Sequence, residues 1–286
     1  MKGRCFAVGL LALLLIGGSN VALANDVALQ GRVSDWREGE RRVDDRRMRY
    51  LVGLSVQNGA GFLDEGGRSW GAKPSVAMEW GRLRLSSGGG RGLLNQGLLT
   101  GSVRGGGLEG LLQSTDRFNL GLSLNLDRGR SALHRPGLQT APPVPTTLRM
   151  RVRMRYAFSP RWNIGLAASQ DILGRGGGLR LDTWLGYELP LTERTRLSAG
   201  VGASAGNSQY LRSEYGLPAA AGMPAYRPHS SLHQLEAGFD IAHSVSRHWV
   251  VFGGVRSTRL RGAASRSPLV ERKRSVDLSV GLAWRN

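Results

Sequence analysis

From Phe118 to Asp127 the chain alternates strictly: Phe118, Leu120, Leu122, Leu124 and Leu126 are apolar, and Asn119, Gly121, Ser123, Asn125 and Asp127 between them are small or polar. Successive side chains of a strand point to opposite faces, so a period of two builds one apolar and one polar face along the whole segment. On a helix the same leucines would scatter around the circumference. The pattern returns at 148–156, where Leu148, Met150, Val152, Met154 and Tyr156 alternate with Arg149, Arg151, Arg153 and Arg155. It recurs at 179–189, at 197–205, and at the C-terminus, where Val276, Leu278, Val280, Leu282 and Trp284 share one face. Further strands are expected at 47–57, 75–86, 161–171, 232–244 and 248–259.

The N-terminus sets the compartment. Lys2 and Arg4 form a basic start, Phe6 to Ile16 an apolar core, and Ala22-Leu23-Ala24 a small-x-small cleavage site, which is the plan of a secretory signal. The apolar run is shorter than the roughly 20 residues that span a bilayer. Residues 1–24 are therefore expected to be a cleaved signal peptide, the charged stretch 25–46 a periplasmic tail, and 47–286 the folded body. The single cysteine, Cys5, lies inside the signal, so the mature chain is expected to have no thiol for disulfides, Cys-ligated zinc or nucleophilic attack.

Beyond the signal no apolar run is long enough for a membrane helix, yet 42 glycines and 41% hydrophobic residues do not describe a disordered chain. The two backbone arrangements that satisfy their own hydrogen bonds in lipid are the helix and the closed barrel. Alternating strands then predict an all-β fold, an antiparallel transmembrane β-barrel. The stretch 93–113, read as two strands around Gly105-Gly106-Gly107, gives about twelve strands, and read as open loop it gives ten. The net charge of +18, almost all arginine, would suggest nucleic acid in a cytosolic protein. An exported barrel has no access to nucleic acid, which leaves outer-membrane lipid, lipopolysaccharide phosphates and acidic envelope polymers as partners.

Connection lengths orient the barrel. Ser159-Pro160, Pro190 to Arg194 and Val245 to Arg247 are short, whereas 58–74, 129–146, 207–231 and 260–272 are long. With an even strand number every short turn falls on the side of the termini, as expected for short periplasmic turns and long external loops. Tyr50, Trp80, Tyr156, Trp162, Tyr187, Trp249 and Trp284, with Phe158, all lie near strand ends on that side. Amphipathic rings favour the headgroup zone, so these are expected to form a membrane-interface collar.

Four guanidiniums on one strand face, Arg149, Arg151, Arg153 and Arg155, must be answered by acids or anions in a confined lumen. Asp127, Asp182, Glu188, Glu236 and Asp240 have the matching parity. Two readings follow: an ion-pair network that plugs a narrow barrel, or a basic passage or binding site for anions. His229, His233, His243 and His248 near Ser230, Ser231, Ser244 and Ser246 invite a hydrolase reading. The barrel separates the first two from the last two by about a membrane thickness, and no acidic orienter is placed by the spacing. No catalytic residue, metal ligand or cofactor is therefore assigned. The triple glycines at 88–90, 105–107 and 176–178 precede no Gly-Lys-Ser/Thr and read as turns or loops.

Several segments resemble the MipA/OmpV family, the MltA-interacting protein family of outer-membrane barrels. They are Leu124-Asn-Leu-Asp-Arg-Gly-Arg130, Gly177-Gly-Leu-Arg-Leu-Asp-Thr-Trp-Leu-Gly-Tyr187 with Leu189-Pro-Leu-Thr-Glu-Arg-Thr-Arg-Leu-Ser198, Ser208-Gln-Tyr-Leu-Arg-Ser-Glu-Tyr-Gly216 and Leu260-Arg-Gly-Ala-Ala-Ser-Arg-Ser-Pro-Leu-Val270. The likeness covers 118–286 well and 47–113 loosely. It implies a monomeric, non-catalytic barrel in the outer membrane of a Gram-negative cell. It also implies a scaffold for murein (peptidoglycan) processing that joins a lytic transglycosylase, a murein hydrolase, to a murein synthase in the cell envelope. The chain departs from the family where such barrels finish on an aromatic residue, since it ends Trp284-Arg285-Asn286. A small anion-preferring channel and, as a minor alternative, an outer-membrane hydrolase are the rival expectations.

Overall fold

The computed structural model describes residues 48–63, 68–87, 107–115, 117–130, 132–135, 138–219 and 224–286. The expectations for 1–46, a cleaved signal and a charged tail, lie outside the described residues, as do Gly88 to Gly90, Gly105 and Gly106.

Among the described residues fourteen strands follow in chain order: β1 Arg49–Ala60, β2 Arg68–Trp80, β3 Leu83–Ser87, β4 Gly107–Ser114, β5 Phe118–Asp127, β6 Leu133–Arg135, β7 Leu138–Ala141, β8 Thr147–Ala157, β9 Trp162–Asp171, β10 Leu179–Pro190, β11 Thr195–Gly206, β12 Ser231–Ser244, β13 Trp249–Leu260 and β14 Arg274–Arg285. Twelve of them close a barrel in the order β1-β14-β13-β12-β11-β10-β9-β8-β5-β4-β3-β2, and β6 and β7 pair separately within the β5–β8 loop. Every neighbouring pair in the barrel is antiparallel. Closure leaves no open sheet edge, the condition for a sheet in lipid.

The alternation decides which face is which. Along β9, Trp162, Ile164 and Leu166 are exposed while Asn163, Gly165, Ala167, Ser169 and Asp171 are buried. The exposed rows of β1, β13 and β14, with Val52, Leu54, Val56, Val251, Val255, Val276, Leu278, Val280 and Leu282, continue that apolar outer surface. A band of this kind would precipitate a protein in water and is what a barrel presents to lipid.

Two expectations are corrected in detail. The strand expected at 75–86 is broken by a tight turn at Gly81, which has φ +56, so that β2 and β3 form a hairpin. The stretch 93–113 then contributes one described strand, β4, and the barrel reaches twelve by this different division. The alternation changes phase at this turn, since the outward residues are Val76, Met78 and Trp80 before it and Leu83 and Leu85 after it. The loop expected at 58–74 is also shorter, because β1 and β2 run on to Ala60 and from Arg68.

The loop expected over 207–231 contains a helix, α1, Ser208–Tyr215. Asn207 caps it by accepting from Tyr210 N at 2.8 Å, and the same carboxamide accepts from Leu179 N at 3.1 Å, which ties the helix to β10. Its inner face, Tyr210, Leu211, Glu214 and Tyr215, recurs at helical spacing and is buried. Tyr210, Leu211 and Tyr215 pack with Leu260 and Ala264 against Phe62, Leu63 and Val270. Ser267 Oγ donates to Tyr215 O at 2.7 Å, and Tyr226 Oη donates to Ala263 O at 2.6 Å. The external connections β1–β2, β11–β12 and β13–β14 thus make a folded cap.

Candidate functional site

The arginine row of β8 points into the barrel, and strand register selects its partners. Arg149 Nε donates to Asp127 Oδ2 of β5 at 2.9 Å, and its guanidinium also donates to the carbonyls of Gly177 and Gly178. The ring of Tyr210 lies 5.2 Å from the Arg149 guanidinium carbon, so one side chain ties β8, the β9–β10 loop and α1 together. Arg151 lies 3.1 Å from Asp182 of β10, across the intervening β9. Arg155 pairs with Glu188 at 2.9 Å, near Asn163. Arg153 lies 5.9 Å from the ring centre of Trp184.

Asp182 is the hub. Besides Arg151 it accepts from Arg180 Nε at 2.8 Å and from Ser204 Oγ at 2.6 Å, with Arg180 also donating to Ser204 at 3.2 Å. A carboxylate held by two guanidiniums and a hydroxyl meets the requirement that buried charge be paired and hydrogen-bonded.

Of the five acids expected in the lumen, Asp127, Asp182 and Glu188 meet the row. Glu236 and Asp240 do not: they face inward from β12, where Glu236 packs over Gly202 and near Gln234, and Asp240 over Gly254. Parity places an acid on the inner face but not on a given arc of the ring. Glu79, Glu109 and Asp171 also face inward, though sequence reasoning had not placed them there. Glu79 pairs with Arg84 at 2.7 Å, and Glu109 is buried against Gly121. Asp171 accepts from Thr147, from Gly177 N at 2.8 Å and from Leu173 N at 3.0 Å, holding the β9–β10 loop in place. In that loop Gly178 has φ +55, and a side chain there would run into the backbone of α1.

Trp184 is a further lumen residue that was not expected from the sequence. It lies flat against Gly165, where any side chain would overlap its ring. The signal was available, because Trp184 has the inward parity of Asp182 and pairs with Gly165 of β9.

On the loop side of this network is a cavity of 530 Å³ lined by Lys73, Arg149, Arg151, Arg180, Arg256 and Asp240, among others, with Tyr210 and Tyr215 of α1 beside it. The mixture of signs makes it a polar vestibule.

The histidines do not converge. His233 is fully buried at a bulge in β12, its ring 5.3 Å from Tyr210 and 6.3 Å from Tyr215. His229 is exposed in the cap. At the other end His243 shares a hydrogen bond with Thr195 at 2.9 Å, and His248 stacks on Trp284. Among the described residues no group of three or more His, Cys, Asp or Glu is placed to hold a metal ion.

The seven aromatics expected at the interface all stand at turn-side strand ends. Tyr50 contacts Trp284 at 5.4 Å, and Trp162 contacts Tyr187 at 4.9 Å. Beside them Asn286 closes the β1–β14 seam, accepting from Tyr50 N at 2.8 Å and donating to Met48 O at 2.9 Å.

A closed antiparallel barrel with an apolar exterior, a one-sided aromatic collar and a lumen of paired charges defines a transmembrane β-barrel of the outer-membrane class. The loops form its external cap and the termini mark its periplasmic end. The profile of the family described as MltA-interacting protein MipA matches residues 52–286, and the chain belongs to that family.

No curated protein matches the chain significantly. Among solved structures it is similar to the NanC porin at 9% identity and TM-score 0.46, over 82% of this chain and 98% of that one. It is similar to the KdgM porin at 9% identity and TM-score 0.39, over 82% and 98%. A loop-deletion variant of OmpT, an outer membrane protein of Vibrio cholerae, gives 9% identity and TM-score 0.40, over 84% and 99%. These are distant likenesses.

Proposed function

We propose that the chain is a non-catalytic outer-membrane barrel that docks murein-processing enzymes, a lytic transglycosylase first among them, on its periplasmic rim. The family description names an interaction, and one observation on this chain supports a docking surface. Each of the five short turns on the side of the termini carries an exposed arginine: Arg82, Arg117, Arg161, Arg194 and Arg247. Such a rim attracts an acidic surface and steers its approach. The joining of a hydrolase to a murein synthase and the contribution of the tail 25–46 belong to the same proposal.

Affinity capture from detergent-solubilised membranes tests it. The wild-type barrel recovers a murein lytic transglycosylase, and the variant with all five arginines changed to Gln recovers about tenfold less. Capture of no murein hydrolase or synthase by the folded wild-type protein would remove the scaffold role.

A second reading rests on the vestibule. Lys73, Arg149, Arg151, Arg180 and Arg256 outnumber Asp127, Glu214, Asp240 and Asp277 around one cavity, and this excess supports an anion-preferring channel or binding barrel. Planar-bilayer recording separates the two readings. Anion-selective current that falls in Arg149→Gln and Arg151→Gln favours the channel, and absence of current favours a lumen closed by its ion pairs.

A further inference from the structure

At the loop-side end of β13 and β14 the lipid-facing rows change character. The outward positions of β13 run Val251, Gly253, Val255, Ser257 and then Arg259, and those of β14 run Leu282, Val280, Leu278, Val276 and then Arg274. Arg259 and Arg274 are direct cross-strand partners. Arg261 follows one step beyond β13, and both it and Arg274 act on Arg259 through their positive charge. Among the described residues no ion pair answers any of the three.

Like charges directly opposite one another on a sheet repel, and the repulsion is less screened beside an apolar slab than in open water. The lumen of this protein answers Arg149, Arg151 and Arg155 with carboxylates; among the described residues none is paired with this patch. Its position says what could. It stands immediately past the apolar band on the membrane-facing surface, at headgroup depth in the external leaflet. In an outer membrane that leaflet is built of phosphorylated glycolipid. A phosphate monoester carries about −1.5 to −2 charges and accepts the forked hydrogen bonds of guanidinium groups. Three neighbouring arginines above an apolar strip match a phosphate at the head of an acyl chain.

We propose that Arg259, Arg261 and Arg274 form a binding site for the phosphate of a phosphorylated glycolipid of the outer leaflet, of the lipid A type. The site is separate from the periplasmic rim and does not depend on the docking proposal.

The test uses the full chain in phosphatidylcholine nanodiscs doped with bisphosphorylated lipid A, dephosphorylated lipid A or phosphatidylglycerol, with retained lipid counted by native mass spectrometry. Wild type retains bisphosphorylated lipid A about tenfold better than either other lipid. The R259Q/R261Q/R274Q variant, shown to be folded by heat-modifiable gel mobility, loses that preference. R212Q/R227Q, which removes two exposed arginines from the cap on the same side, keeps it. Equal retention of the three lipids by wild type overturns the site, as does unchanged retention by the folded triple variant. The wild-type comparison decides the matter even if the triple variant does not fold.

Discussion

Two arcs of the same barrel fill the lumen by different chemistry. On β8 to β11 the interior is a lattice of charge, with Arg151, Arg180 and Ser204 all joined to Asp182. At the turn-side end of β1, β2, β13 and β14 it is apolar, with Leu51, Ala77 and Ala283 fully buried against Phe252. The second arc works by shape, because the Phe252 ring occupies the space that Gly281 leaves open. The first works by pairing, and its members cannot be removed singly without stranding a charge. The barrel therefore has one wall sensitive to charge deletion and one sensitive to volume.

Four substitutions press on that contrast, read as unfolding midpoints in urea for the barrel in detergent. Asp182→Ala should cost the most, about 3–5 kcal/mol, because it leaves both Arg151 and Arg180 buried without their common carboxylate. A loss below the Leu51 variant would mean that water or another acid replaces Asp182. Leu51→Ala should cost about 2–5 kcal/mol through a cavity in the apolar wall, and an unchanged midpoint would show that wall to be loosely packed. Gly281→Val should cost about 1–3 kcal/mol by pressing on Phe252 and the carbonyl of Leu54. Smallest is Glu188→Gln, since the Arg155 and Glu188 side chains are 26% and 24% exposed against 6% and 5% for Arg151 and Asp182. About 0.2–1 kcal/mol is expected there, and a loss near that of Asp182→Ala would mean that burial does not rank these pairs.

The membrane architecture was legible in the chain. Period-two alternation at 118–127 and 148–156 separates a lipid face from an inner face, and the structure puts Arg149, Arg151, Arg153 and Arg155 on the inner one. Loop lengths and the turn-side aromatics oriented the barrel. The hairpin at Gly81 shows in the sequence only as a one-residue change of phase, from Val76, Met78 and Trp80 to Leu83 and Leu85, and the cap helix was hidden because the loop around it has no strand periodicity. Its signs were nonetheless local: Asn207 as cap, then Tyr210, Leu211, Glu214 and Tyr215 at helical spacing.

What the sequence by itself determined is therefore everything that depends on near neighbours along the chain: strand faces, the basic inner row, short turns and long loops. The tertiary structure alone decided which acid meets which arginine. Asp182 reaches Arg151 across an intervening strand, while Glu236 and Asp240, of identical parity, stand on another arc. Parity repeats every two residues and is local, whereas ring order and register are set by the closure of all twelve strands at once. The β12 bulge shows the same limit, turning His233 inward under Tyr210 where simple alternation would have sent it to lipid.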